Sequence, residues 1–87
     1  MMPLPRGPSR KIDIVKILEV SPESYKVWPR SGVRNDEEFA NLLERLKVCM
    51  GDGDAIAPAD GPWTVLLTTR DIAGFKKRLM TKGIVHE

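Results

Sequence analysis

From Lys11 to Val20 the chain reads KIDIVKILEV, and counting by twos puts Ile12, Ile14, Leu18 and Val20 on one side with Val15 and Ile17 on the other. β-Branched residues dominate, so the run predicts a strand, interior to its sheet and apolar on both faces. Such a strand needs cover on both sides. Helices are expected to supply it on one face, and a partner or the chain's own loops on the other. Ser21-Pro22-Glu23-Ser24 reads as a turn, because the fixed φ of Pro22 suits the second turn position. Tyr25 to Trp28 alternates with charge and predicts a returning antiparallel strand, ended by Pro29 and lying at a sheet edge.

Asn35-Asp36-Glu37-Glu38 then supplies an N-cap, acids for the first helical turn and the glutamate of a capping box. Phe39, Leu42, Leu43, Leu46 and Met50 recur at helical spacing, Arg45 and Lys47 suit the last turns, and Gly51 ends the helix. The stretch from Gly51 to Pro62 reads as a long loop, in which Ala55-Ile56-Ala57 is too brief to assign firmly and leaves a small strand open. Trp63 to Thr68 predicts another strand, and Thr69 is placed to cap a second helix in which Ile72, Phe75 and Leu79 face inward. Gly83 closes that helix, and Ile84 and Val85 suggest a last short strand. The predicted class is α+β, in the order ββαβαβ, with two helices packed on one face of a mixed β-sheet. The layout is ferredoxin-like by analogy, with a rearranged opening, and topology of this kind does not give function.

The 87 residues leave room for one small domain. Residues 1–10, with Pro3, Pro5, Gly7 and Pro8, are expected to be a flexible arm, and residues 11–87 the single domain. A hydrophobic share of 41% beside 30% charged residues is that of a soluble globular chain. No run approaches a membrane span and the opening residues lack the apolar core of a signal peptide, so a cytoplasmic location is expected. Cys49, the single cysteine, forms neither an internal disulfide nor a zinc site alone. Charge is uneven. Seven cations face three acids in residues 1–34, two face seven in 35–61, and five face two in 62–87.

Catalytic chemistry finds little support. The only histidine, His86, sits next to the end of the sequence, and Cys49 falls at a helix C-terminus, which raises rather than lowers a thiol pKa. Gly51-Asp52-Gly53-Asp54 resembles a calcium loop superficially, but Ile56 and Ala57 stand where a ligand and a glycine are required. Neither GxxxxGK[ST] nor GxGxxG occurs. The expectation is therefore no enzyme, no cofactor, no metal and no small-molecule substrate.

Binding of a macromolecule remains. Tyr25, Trp28, Arg30 and Arg34 are residue types that concentrate interface energy, and a protein partner or a second copy is expected there. Asp36, Glu37, Glu38 and Glu44 would form an acidic patch free to meet a basic surface, as in a small inhibitor or an accessory subunit. The alternative is nucleic acid, held by Arg6, Arg10 and Lys11 of the arm, by Trp28 as a stacking residue, and by Lys76, Lys77 and Arg78 of the second helix. A winged-helix arrangement would need a helix in place of Trp63 to Thr68.

Overall fold

The computed structural model describes residues 13–87. The arm, with Arg6, Arg10 and Lys11, and the start of the first apolar run lie outside the described residues. Seven elements follow in order: β1 (Asp13–Ser21), β2 (Ser24–Ser31), α1 (Asp36–Val48), β3 (Ala55–Pro58), β4 (Val65–Thr68), α2 (Ile72–Thr81) and β5 (Ile84–His86). The class is α+β with two helices and a five-stranded mixed sheet, ordered β3-β4-β2-β1-β5. All neighbouring strands are antiparallel except β1 and β5. If β1 is set aside, the other six elements run β-α-β-β-α-β, the split-βαβ frame of ferredoxin-like folds. β1 is then an extra strand between β2 and β5, which is the rearranged opening, and the likeness remains one of topology.

Cross-strand partners share a face, so the register sorts the sheet into two sides. Val15, Val27, Val65, Leu67 and Ile84 are buried on one side together with Leu42, Leu46 and Cys49 of the α1 region and Phe75 and Leu79 of α2. Both helices therefore cover the same face. Tyr25 and Ile17 pack against this core from the same side.

Three local expectations are corrected. β2 is not an edge strand, because β1 pairs with it on one side and β4 on the other. Pro29 is accommodated because the β4 ladder stops at Val27, and a register shift near Ile14 loosens the β1 ladder there. Ala55–Pro58, left unassigned by sequence, is a short strand paired to β4. Asp71, not Thr69, caps α2: its Oδ1 accepts from the Gly74 N–H at 2.9 Å, while the Thr69 hydroxyl oxygen accepts from the Asp71 N–H at 3.1 Å. The Asn35 cap of α1 is present, its Oδ1 accepting from the Glu38 N–H at 2.8 Å.

One ion pair ties the layers together. Asp13 is buried on the helix side of β1, and the Arg45 guanidinium of α1 binds its carboxylate while donating to the Lys82 carbonyl at 2.7 Å. Gly32, with φ of 91°, lies against Asp13 so closely that an added Cβ would run into the carboxylate. Only glycine meets both requirements.

Candidate interaction surface

Among the described residues, the second face of the sheet carries no helix. Its residues follow from the register: Ile14, Lys16 and Leu18 on β1, Lys26 and Trp28 on β2, Leu66 on β4, Ala55 and Ala57 on β3, and Val85 on β5. Lys16 lies directly across from Trp28, and Lys26 lies between Leu18 and Leu66. Trp28, Ile14 and Leu66 are half-buried, whereas Leu18, Val20 and Val85 remain 46–48% exposed. Among the described residues neither Lys16 nor Lys26 has an ionic partner. The result is an aliphatic surface around one indole, with two free ammonium groups beside it. Single exposed apolar residues are ordinary; a contiguous set on one sheet face is a recognition surface in the making.

The residues singled out by sequence do not all meet there. Trp28 does, near the middle of the face. Tyr25 has the opposite parity and belongs to the core side. Arg30 is held at the margin by an ion pair with Glu87 at 3.3 Å, both side chains being about half exposed. Arg34 is tied to Glu38, its N–H donating to Oε1 at 2.8 Å and its Nη2 to Oε2 at 3.1 Å. The hydrogen bond and charge of Glu38 push the Arg34 pKa up, which leaves it cationic as before. Glu38 thus reaches one residue beyond the cap that a capping box would close.

The acidic patch is likewise partly committed: Asp36 accepts from the Trp63 indole at 2.8 Å and Glu44 pairs with Lys47 at 3.5 Å, while Glu37 is exposed. Lys76, Lys77 and Arg78 stand on α2, on the far side of the sheet from Trp28. Arg78 is structural. Its Nε donates to the Cys49 carbonyl at 2.5 Å and its Nη2 lies 3.8 Å from Asp54. A single polyanion site combining Trp28 with the α2 cations is therefore excluded by geometry. The winged-helix arrangement also fails, since Val65–Thr68 is a strand.

The sequence marks Ile14 and Leu18 as one apolar side of β1, but not Lys16, Lys26, Leu66 or Val85 as their companions. The alternation along β1 carried the signal, for it places Ile14, Lys16 and Leu18 on one side. What it lacked was the partner strand.

Burial pushes the Cys49 thiol pKa up, against the smaller opposing influence of Lys82, Arg78 and Arg45. A buried thiol of that kind is a packing residue. Among the described residues no three His, Cys, Asp or Glu side chains are grouped to hold a metal ion, and no helix is long and apolar enough to cross a membrane. No protein-family model matches the chain, and neither a curated protein nor a solved structure matches it significantly. The functional reading therefore rests on the surface itself.

Proposed function

We propose that the chain is a small non-enzymatic protein-binding module, an inhibitor or accessory subunit of a larger assembly, whose contact surface is the open sheet face centred on Trp28. A cytoplasmic location goes with this reading, supported by a lone cysteine that is free and buried. The supporting observation is the second apolar side of β1. Ile14 and Leu18 lie on a face that no described element covers, and Leu18 is nearly half exposed. A protein partner fits this composition best. One large aromatic has the aliphatic Ile14, Leu18 and Leu66 on its diagonals, a residue mix of protein interfaces, and Lys16 and Lys26 among them suit acidic side chains on the partner. The adjacency of Lys16 and Trp28 favours a second reading, single-stranded nucleic acid, which stacks bases on aromatics and neutralises phosphates. That reading is weaker, because such platforms usually set several aromatics in a row and this face has one.

The test places a photo-crosslinking residue at position 18 on the open face, and in a control at Met80, which is 67% exposed on α2. A partner captured through position 18, not through position 80, and lost on Trp28→Ala is the expected result. In parallel, Trp28→Ala should lower the thermal midpoint by only a few degrees. Labelled single-stranded DNA and RNA should show no binding at physiological salt. Oligonucleotide binding that survives physiological salt and is weakened by both Trp28→Ala and Lys16→Glu would overturn the protein reading in favour of nucleic acid. Equal capture at both positions would remove the open face from consideration.

A further inference from the structure

A second surface lies at the β3 edge of the sheet and does not involve Trp28, Lys16 or Leu18. Beside β3 is a cleft of about 400 Å³, walled by Phe39, Leu43 and Lys47 of α1 and by Ile56, Pro58 and Trp63. Phe39, Leu43 and Lys47 recur every four residues, so one stripe of α1 faces the cleft. Among the described residues β3 has a strand neighbour on one side only, β4.

The main chain at that edge has a defined opening. The Ala59 N–H donates to the Thr64 carbonyl at 3.1 Å, in register with the β3–β4 ladder. Alternate residues of an antiparallel pair share bonds, so Ala57 and Ala55 point theirs at β4 while Ile56 and Pro58 point outward. Pro58 has no N–H to offer, which is why the strand tolerates it. Ile56 is thus the one residue of β3 that presents both a donor and an acceptor to the free edge. Its side chain faces the cleft. A residue laid opposite Ile56 would exchange two main-chain hydrogen bonds with it and send its own side chain into the cleft.

The walls are built for an occupant. Trp63 adopts φ of 54°, a left-handed conformation uncommon for a bulky residue, and its indole N–H is fixed by Asp36 Oδ1 at 2.8 Å. The ring is thereby held as one end of the cleft. The rim is acidic. Asp60, between the lining residues Ala59 and Gly61, is exposed and has no ionic partner among the described residues, and Asp36 lies behind Trp63. The single lining cation, Lys47, is paired with Glu44.

We infer that the cleft takes an extended segment of a partner protein, which adds a sixth strand to β3, inserts one bulky apolar side chain opposite Ile56, and carries lysine or arginine two residues away. Residues two apart on a strand share a face, so the cation lies opposite Pro58 and its long side chain extends along the edge in the direction of Asp60, two residues beyond. Charge complementarity selects this occupant over an acidic one, and Pro58 limits the pairing to a short segment.

The probe is acetyl-Arg-Thr-Leu-Thr-Arg-amide, symmetric so that either strand direction is served, titrated into the full chain labelled with ¹⁵N. Saturable shifts at the Ile56 amide and the Trp63 indole are expected, with affinity on the order of 1 mM. Replacing both arginines by glutamate should weaken binding roughly threefold or more, and replacing the leucine by serine should abolish it. In Asp60→Lys, an exposed change that leaves the fold intact by circular dichroism, the preference between the two charged peptides should reverse. No saturable shift at Ile56, equal binding of the serine peptide, or shifts confined to Trp28 would overturn the inference. So would shifts at Ile56 that grow with protein concentration alone, since these would assign the edge to a second copy. Trp28→Ala leaves every expected result unchanged, which separates this site from the open face.

Discussion

Replacing Arg45 by methionine keeps the aliphatic stem and removes the charge that holds β1, α1 and the turn before β5 together. The Asp13 side chain is only 12% exposed, and its cation is gone in this variant. Truncating one member of a fully buried pair costs about 3–5 kcal/mol, because the remaining charge is stranded away from water. The Arg45 side chain is 40% exposed, so water reaches the vacated site and the figure falls to about 2 kcal/mol. Loss of the bond to the Lys82 carbonyl adds roughly 0.5–1 kcal/mol. The expected destabilisation is therefore about 2–3 kcal/mol, or roughly 10–20 °C in the melting midpoint of a domain of this size. Urea titration followed by circular dichroism measures it, alongside Asp13→Asn and the double variant. The double variant should regain about 1–2 kcal/mol over Arg45→Met alone, because the amide no longer strands a charge. A loss below about 0.5 kcal/mol for Arg45→Met, or no recovery on adding Asp13→Asn, would refute the reasoning.

Two further changes probe the turn and the thiol. Glu23 has φ of 68° at the third position of the Ser21–Ser24 turn, which favours glycine, and its contact with Arg70 is exposed and 3.8 Å long. Glu23→Gly should therefore stabilise by about 0.5–1 kcal/mol after glycine's own entropy is deducted, and an unchanged or lower urea midpoint would count against the strain argument. Burial raises the Cys49 pKa, so the unfolded chain loses that proton first as pH rises. The thiol's contribution is fully present below about pH 8.5 and declines above it as the unfolded chain ionises; the alkaline loss of stability should be smaller in Cys49→Ala than in the parent.

Much of the fold is legible in the sequence where a pattern is long. β1 is long and rich in β-branched residues on both faces, and the α1 stripe with its Asn35 cap leaves little choice. β3 is harder to read because four residues, two of them alanine and one proline, carry no period, and its place is decided by β4. Pro29 misled for a related reason: proline marks an edge only where a neighbour's ladder continues, and here the β4 ladder ends two residues earlier. Trp28 is a candidate contact residue from its type alone, and the fold places it on the open face. Its companions Lys16 and Lys26 were not legible in that way, since their shared face depends on a β1–β2 register set by a two-residue turn. The α2 cations were drawn into the same candidate site because a sequence shows charge without showing the side of the sheet.

The parallel pairing of β1 with β5 bears on how the chain assembles. Asp13 meets Ile84, Val15 meets His86, and the Glu87 N–H donates to the Val15 carbonyl at 2.8 Å. The first described strand thus waits for the last before its second ladder can form. Ile84 is wholly buried, so the core stays open on that flank until residues 84–87 are available. During synthesis on a ribosome, the β1–β2 hairpin and α1 emerge long before this seal exists. Completion then waits for residues 84–87 and is paced by closing a loop of nearly the whole described domain. In that interval the unsealed flank of β1 is exposed to other chains, and the arrival of β5 governs when the exposure stops.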